Sequence, residues 1–261
     1  MNVLLLGLFG GLFLFGGSQV RRFESEAAKE IASKLSGPEK RVSVKVRPAG
    51  LSGALASATI QASRFETEGL PLFTEPDRST RGVVHELRIR LSDFSLRGLR
   101  IEQLSATIPD CRFDYALAVR RHQIRLSRSG VGQGTVSLLA EDLERYVLRK
   151  FSEIKRVEIE ISGGRLRVSG YGEFLIVSTN FDVDATLRAV EGTRFVLEDA
   201  KVRFDGREAE PLARDALLGT LNPIVDLDQD LELHGAILVD RIVLEEGRIV
   251  ASGTTRIPIK P

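Results

Sequence analysis

Two stretches of this 261-residue chain repeat almost the same pattern: EISGGRLRVSG at residues 160–170 and VLEEGRIVASG at residues 243–253. Both end in a Ser-Gly pair, at Gly170 and at Gly253. In each stretch, apolar and charged residues alternate on both sides of a glycine-containing turn. This arrangement is typical of an antiparallel hairpin with one buried face. The chain is therefore predicted to contain repeated half-apolar β-hairpins.

The same period-two alternation continues through most of the chain after Arg41 and predicts antiparallel sheet with one dry face. Looser copies of the hairpin turn at residues 97–98 and 191–192. Further strands are predicted at residues 58–65, 99–108, 112–119, 123–127, 173–187, 194–204, 231–244 and 248–259. The predicted fold class is α+β and mostly β, with a long curved antiparallel sheet covered by two or three apolar helices.

Helical spacing appears first at residues 19–37, where Gly37-Pro38 stops the pattern. The apolar stripe of this predicted amphipathic helix consists of Val20, Phe23, Ala27, Ile31 and Leu35. The polar face mixes both signs of charge, which favours a helix packed on the body of the domain. The alternative is a helix at a membrane interface.

Two further helices interrupt the strand pattern. Residues 137–151 begin at Ser137, a suitable N-cap, and place Leu139, Leu143, Val147 and Phe151 near one face. Residues 211–221 include Leu212, Leu217 and Leu221 until Asn222-Pro223 ends the pattern. Both segments contain more leucine than a short surface helix requires.

The N-terminus contains an uninterrupted apolar run at residues 3–17, too short to cross a bilayer comfortably as a helix, which takes about 20 residues. Residues 1–18 are therefore predicted to be a signal peptide, with an uncleaved membrane anchor flanked by Arg21 and Arg22 as the alternative. Either interpretation brings the protein to a membrane. The expected location is periplasmic or anchored on the cell envelope.

The composition excludes several kinds of partner and site. With 37 basic and 36 acidic residues the net charge is +1, so no nucleic-acid partner is expected. The single cysteine, Cys111, excludes an internal disulfide and any site with several thiolate ligands. No catalytic residue is predicted, because the chain contains neither a nucleophile elbow nor a Cys-Gly nucleophile context.

Three other motifs are predicted to be structural. GVGQGTV at residues 130–136 has Thr135 where the third glycine of a dinucleotide loop belongs, so a turn is favoured. The acidic run at residues 226–232 has Leu231 where a calcium loop needs glycine, and an alternating loop-to-strand face is favoured. The three histidines lie far apart in sequence and have no metal-ligand spacing. No cofactor and no metal are expected.

Some segments contain more apolar residues than a sheet with one buried face requires. The segments at residues 174–177 and 235–239 place apolar groups on both faces of their strands, and residues 216–227 are rich in leucine. Apolar surface of this kind requires a cover, which helices or a lipid chain could provide.

Six segments, in this order, resemble those of the LmeA-like phospholipid-binding family of bacterial envelope proteins: residues 69–74, 96–108, 134–147, 163–170, 216–227 and 238–253. The chain departs from the family pattern in its acidic run at residues 226–232 and in an extra loop at residues 75–82. The resemblance implies a tubular lipid-binding-like fold, in which a strongly curved antiparallel sheet wraps around a long helix. It also implies that residues 40–261 form a single lipid-binding domain without catalytic activity.

The function that follows from the resemblance is binding of a phospholipid or another acyl lipid at a membrane surface, in lipid transport or envelope maintenance. The expected groove lies between the sheet and the helix at residues 137–151. Its candidate lining residues are Leu139, Leu143, Val147, Phe174, Ile176, Leu217 and Leu221. The alternative is a structural or interaction module whose apolar interior is filled by its own helices.

Overall fold

The computed structural model describes residues 17–49, 54–121, 123–174 and 177–260. Side chains are described from Val20 onward, apart from those of Phe174 and Val177. Ile176 and nearly all of the predicted targeting segment at residues 1–18 therefore lie outside the described part of the chain.

The described residues divide into two compact units. Unit 1 contains the residues up to Asp93, Leu104–Gly134 and the residues from Thr254 onward, whereas unit 2 contains Phe94–Gln103 and Thr135–Gly253. The single domain expected at residues 40–261 stays a prediction.

Four helices and fourteen strands occur in the described residues. The helices are α1 (Gly17–Ser33), α2 (Tyr115–Arg121), α3 (Ala140–Lys150) and α4 (Pro211–Leu221). The strands are β1 (Arg41–Pro48), β2 (Ala54–Thr67), β3 (Gly82–Leu96), β4 (Leu99–Phe113), β5 (Leu126–Arg128), β6 (Gly132–Leu139), β7 (Ile154–Ser162), β8 (Arg165–Phe174), β9 (Val177–Val190), β10 (Arg194–Phe204), β11 (Arg207–Glu208), β12 (Val225–Asp226), β13 (Ile237–Glu245) and β14 (Arg248–Thr255).

The strands form two sheets. The eight-stranded sheet has the order β1-β2-β3-β4-β6-β14-β13, with β5 paired to β4. The six-stranded sheet has the order β11-β10-β9-β8-β7, with β12 also paired to β10. The prediction of an α+β, mostly β fold built on antiparallel sheet is confirmed, and the strands are divided between two sheets.

The four predicted hairpin turns are confirmed, and they connect β3 to β4, β7 to β8, β9 to β10 and β13 to β14. Both central residues have positive φ in three of them: Arg97-Gly98, Gly163-Gly164 and Glu191-Gly192. Tight turns of this hand match the right-handed twist of the flanking strands, and glycine adopts such a conformation without steric cost.

The repeated Ser-Gly pair has a structural cause in the two hairpins β7–β8 and β13–β14. A Cβ atom on Gly170 would lie 2.2 Å from the carbonyl oxygen of Arg156, and one on Gly253 would lie 2.0 Å from that of Leu238. In both hairpins the backbone of the opposite strand occupies the space of a side chain. Only glycine fits at these two positions.

The six-stranded sheet, which lies in unit 2, has one dry face. A row of side chains crosses four strands in register and consists of Ile159, Val168, Val183 and Val202. Each of them is at most 6% exposed. The opposite face carries ion pairs between neighbouring strands, such as Arg167 with Asp182 at 2.7 Å. The alternation of the sequence therefore separates an apolar face from a charged one.

In unit 1, α1 packs on an apolar cluster formed mainly by β1 to β4, with Leu126 and Ile257 also included. Ala27 is buried in this cluster, and Val20, Phe23 and Ile31 pack against it half-buried. The helix is also fixed by Glu24, whose carboxylate accepts a hydrogen bond of 2.9 Å from the backbone N–H of Val46. The predicted apolar stripe therefore faces the body of the protein.

Several strand predictions are wrong at one end. The strand expected at residues 123–127 begins only at Leu126, and the strand expected at residues 248–259 ends at Thr255. The strand expected at residues 112–119 stops at Phe113, because the Asp114 carboxylate accepts a hydrogen bond of 3.0 Å from the Leu117 N–H and starts α2. The strand expected at residues 231–244 begins only at Ile237, since Glu232 and His234 adopt positive φ in a turn. The segment at residues 173–187 is divided between β8 and β9.

The start predicted for α3 is also wrong. Ser137 lies in β6, and its hydroxyl donates a hydrogen bond of 2.9 Å to the Glu102 carboxylate. The helix begins three residues later, at Ala140, whose N–H donates to the Gly247 carbonyl at 3.0 Å. The turn of a distant hairpin therefore accepts the hydrogen bond that the serine was expected to accept.

Candidate functional site

Helix α3 packs against β7 and presents its apolar side to the sheet. Leu143 is 1% exposed and Val147 is fully buried. Next to Leu143, the Glu144 carboxylate accepts a hydrogen bond of 3.4 Å from the backbone N–H of Ile159. The Gly247 N–H also donates to the carbonyl of Ile161 at 2.9 Å, so one hairpin turn joins the start of α3 to the end of β7.

A buried carboxylate lies in the first turn of α3. The side chain of Asp142 is fully buried and pairs with the guanidinium groups of Arg100, at 3.4 Å, and Arg145. Two arginines and the positive end of the helix dipole therefore compensate one buried negative charge. All of these groups are used in mutual contacts, which indicates a structural role.

A polar network surrounds the last turn of α3. The Lys150 ammonium donates to the Pro223 carbonyl at 2.9 Å and to the Asp230 carboxylate at 2.6 Å. Burial raises the pKa of Tyr146 well above its ordinary value, and the charge of Asp230 and a hydrogen bond to its carboxylate raise it further. The end of α3 is thereby tied to the segment that follows α4.

The acidic run is a hydrogen-bonded turn rather than an alternating face. The Asp226 carboxylate accepts from the backbone N–H groups of Asp228 and Gln229, at 3.0 and 2.8 Å. Asp228 in turn accepts from the Gly235 N–H at 2.9 Å. Within the described residues, no group of three or more His, Cys, Asp or Glu side chains could hold a metal ion.

The raised pKa of Tyr146 gives a prediction for alkaline conditions. Above about pH 10 the phenol ionises in the unfolded chain but stays neutral in the folded one, so folded protein loses stability as the pH rises. We expect the urea midpoint to fall between about pH 9 and about pH 11, and to fall less in Tyr146→Phe. An equal fall in both proteins would contradict this assignment.

Helix α4 is held much more loosely than α3. Of its eleven residues only Leu217 and Leu221 are buried, and Leu212 is 86% exposed. The chain on either side is bound to β10: the Ala209 N–H donates to the Val202 carbonyl at 2.9 Å, before α4. After α4, the Asn222 side-chain oxygen accepts from the Leu197 N–H at 2.8 Å. The helix is therefore a bridge fixed at both ends and exposed along its first half.

The structure places the candidate lining residues as follows. Leu143 and Val147 lie on the buried side of α3, and Leu217 and Leu221 are the two buried residues of α4, all at most 3% exposed. Leu139 is half-buried at the end of β6, immediately before α3, and so belongs to a strand. For Ile176, and for the side chain of Phe174, no placement is described.

The glycine-rich stretch at residues 130–136 has a purely structural explanation. A Cβ on Gly130 would lie 2.2 Å from the Pro109 carbonyl oxygen, and one on Gly132 would lie 1.9 Å from that of Thr107. These glycines allow the chain to approach the backbone of β4 closely. The turn predicted at residues 130–136 is therefore wrong for its larger part, because residues 132–136 lie in strand β6.

Comparison with known protein families identifies the family of this chain. Among the described residues no helix has both the length and the apolar character needed to cross a membrane. Searches of curated proteins and of solved structures each gave no match. A family model, described as LmeA-like phospholipid-binding, matches residues 20–254. The chain therefore belongs to the LmeA-like phospholipid-binding family.

Proposed function

We propose that this protein holds the acyl chains of a phospholipid on the apolar face of its six-stranded sheet, beneath α4, without catalysing a reaction. The observation that carries the proposal is the weak attachment of α4, which buries only two of its eleven side chains over an apolar sheet. An element with few buried contacts separates from its neighbours at a lower free-energy cost than one that is fully packed.

The geometry of β10 favours entry at this edge of the sheet. Strand β11 pairs with residues 203–204 of β10, and β12 pairs with residues 194–195. Between these two short pairings, α4 contacts β10. Displacing α4 with Leu217 and Leu221, its two buried side chains, would uncover apolar surface beneath the helix while the flanking hydrogen bonds to β10 keep the segment attached.

An acyl chain entering there would follow the apolar row from Val202 through Val183 and Val168 toward β7 and α3. The proposed contacts are Leu217 and Leu221 on α4, Leu143 and Val147 on α3, and Leu139 at the end of β6. Phe174 and Ile176 complete the proposed set on the strength of the sequence pattern alone. A continuous apolar row suits an acyl chain because its affinity depends on the apolar area removed from water.

We also propose that the protein acts in the bacterial cell envelope, in lipid transport or maintenance of the envelope. The apolar run at residues 3–17 supports export or anchoring. The charged groups around α3 are all engaged in structural contacts, with Asp142 bound to arginines and Lys150 bound to Asp230. A role as a binding protein is therefore favoured over a role as an enzyme.

A self-filled core is the second candidate, and the nearly complete burial of Leu143, Val147 and Leu221 favours it. In that case α3 and α4 occupy the apolar face permanently, and the protein is a structural or interaction module. Native mass spectrometry of the purified protein separates the candidates, because co-purified phospholipid supports acyl binding and a ligand-free mass supports the self-filled core.

Substitution of Leu217 by tryptophan tests the location of the site. If this side chain lines an acyl site, we expect Leu217→Trp to reduce the uptake of a fluorescent phospholipid while leaving the melting temperature nearly unchanged. The larger ring would then compete with lipid instead of with neighbouring protein. In a close-packed core, the same substitution would cost on the order of 1 to 3 kcal/mol of stability.

Leu212→Trp is the matched control, because Leu212 lies on the same helix and is 86% exposed. It should change neither uptake nor stability. Destabilisation by Leu217→Trp without any loss of uptake would show that the acyl site lies elsewhere. Absence of uptake by the unmodified protein would reject lipid binding itself.

A further inference from the structure

One apolar row of the six-stranded sheet ends in a positive charge. The row crosses β7 to β11 in register and consists of Val157, Gly170, Phe181, Phe204 and Arg207. Side chains that lie directly opposite each other on neighbouring strands share one face of a sheet. Arg207, on the edge strand β11, therefore lies on the apolar face of the sheet although it is charged.

The row becomes more open toward this edge. Phe181 is 2% exposed, Phe204 is half-buried and Arg207 is exposed. The neighbouring row, which is proposed to hold the acyl chain, reaches the same edge at Ala209, whose N–H donates to the Val202 carbonyl at 2.9 Å. Ala209 lies two positions after Arg207, or about 7 Å along an extended chain. The cation is therefore close to the end of the proposed acyl site.

The positive charge of Arg207 is not neutralised within the protein. This residue forms no ion pair with any described residue. Three acids are close to it in sequence: Asp205, Glu208 and Glu210. The Asp205 carboxylate instead accepts hydrogen bonds from strand β9, and Glu208 lies opposite Arg203 on the charged face of the sheet. The guanidinium group is therefore available to a ligand on the apolar face.

We propose that Arg207 binds the phosphate group of the phospholipid, so that the headgroup stays at the edge formed by β10 and β11 and the acyl chains extend toward β7. A guanidinium group suits this role because it stays charged and can donate two parallel hydrogen bonds to one phosphate. The order along the row, a cation followed by apolar rings, matches the order along a phospholipid, a phosphate followed by acyl chains. The inference rests on the proposed function in taking an acyl lipid on this face as the ligand.

Two lipids with the same acyl chains test the phosphate contact in the full-length protein. Phosphatidylglycerol and diacylglycerol, both labelled with the same fluorophore on one acyl chain, differ only in the phosphoglycerol headgroup. We expect Arg207→Ala to raise the Kd of phosphatidylglycerol by about 10-fold, the size of one charge-assisted contact at a solvent-exposed site. The Kd of diacylglycerol should not change. Arg207→Lys should keep part of the affinity, because it retains the charge without the paired hydrogen bonds.

Arg203→Ala is the matched control. Arg203 is exposed, forms no ion pair with any described residue, and is paired in register with Glu208 on the opposite face of the same two strands. The variant therefore removes the same charge from the same edge without removing the proposed contact. Its Kd for each lipid should equal that of the parent protein, and the melting temperatures of both alanine variants should stay close to that of the parent.

Two outcomes would overturn the proposal. One is a Kd of phosphatidylglycerol that is the same in Arg207→Ala and in the parent protein, which refutes the phosphate contact but leaves the acyl site standing. If inorganic phosphate nevertheless protects the parent against heat, and Arg207→Ala removes that protection, the residue is a site for free phosphate. The other is an equal rise of the Kd in Arg207→Ala and Arg203→Ala, which indicates unspecific attraction to charge. Binding of neither lipid by the parent protein refutes the acyl site and, with it, the headgroup contact.

Discussion

Leu143→Asp is expected to lower the free energy of unfolding by on the order of 4 kcal/mol or more, because it removes a buried apolar contact and introduces a carboxylate without a partner. Leu143 is 1% exposed and lies on the side of α3 that faces the sheet. Val147→Asp, one turn further along, should have an effect of similar size. Urea unfolding followed by circular dichroism measures both.

Leu148→Asp is the control for these variants because Leu148 lies on the outer side of the same helix and is 37% exposed. The aspartate is also unfavourable near the C-terminal end of the helix, but only by less than about 1 kcal/mol. Stabilities of Leu143→Asp and Val147→Asp close to that of Leu148→Asp would contradict the packing of α3 on the sheet.

Gly253→Ala and Gly170→Ala are each expected to cost on the order of 2 to 4 kcal/mol, which is large for the addition of one methyl group. The Cβ of Gly253 would meet the Leu238 carbonyl oxygen at 2.0 Å and two further backbone atoms within 3.0 Å. At Gly170 the corresponding distance to the Arg156 oxygen is 2.2 Å. Backbone atoms cannot move aside as a flexible side chain can, so the paired strands must shift.

Gly219→Ala is expected to give the opposite result and serves as the control. Gly219 lies inside α4, and a Cβ there would have no heavy atom within 4 Å. Alanine is favoured over glycine in a helix by about 0.5 to 1 kcal/mol, so this variant should be slightly more stable than the parent protein. Thermal unfolding of the three alanine variants decides the question, and destabilisation of Gly219→Ala alone would contradict the strand geometry.

The hairpins could be predicted from the sequence because their signals are local. Alternation identifies the buried face of each strand, and the glycine at each turn identifies where the chain reverses. The division of the strands between two sheets could not be predicted in this way. Strand β6, for example, pairs with β14, which lies more than 100 positions later in the chain, and no local pattern indicates a partner at that distance.

The helix boundaries were harder to predict because groups from distant segments replace the local hydrogen-bond partners that normally mark the start of a helix. Ser137 has the right chemistry for an N-cap, but its hydroxyl binds Glu102 and the chain remains a strand. Helix α2 was missed because its residues are apolar without a clear period, so helix and strand fit them equally well. Asp114 was the available signal, as an aspartate directly before the helix.

The apolar residues of the candidate site could be predicted from the sequence, but how tightly each helix packs could not. Apolar residues at helical spacing on two predicted helices identified Leu143, Val147, Leu217 and Leu221 as side chains facing an apolar interior, and all four are buried. The difference between a fully packed α3 and a loosely held α4 depends on tertiary contacts. Those contacts are made to segments such as the turn at Gly247, whose role the sequence does not indicate.

Each of the two units contains a hydrogen bond whose acceptor comes late in the sequence, and this affects folding during biosynthesis. In unit 2, the Ala140 N–H at the start of α3 donates to the Gly247 carbonyl at 3.0 Å, and in unit 1 the Thr74 N–H donates to the Pro258 carbonyl at 2.8 Å. Until the ribosome has made residue 247, the N–H of Ala140 at the start of α3 lacks its acceptor. The N–H of Thr74 in unit 1 lacks its acceptor until residue 258 has been made. Neither unit can complete its contacts during most of translation, which leaves the nascent chain without a finished native structure and accessible to chaperones.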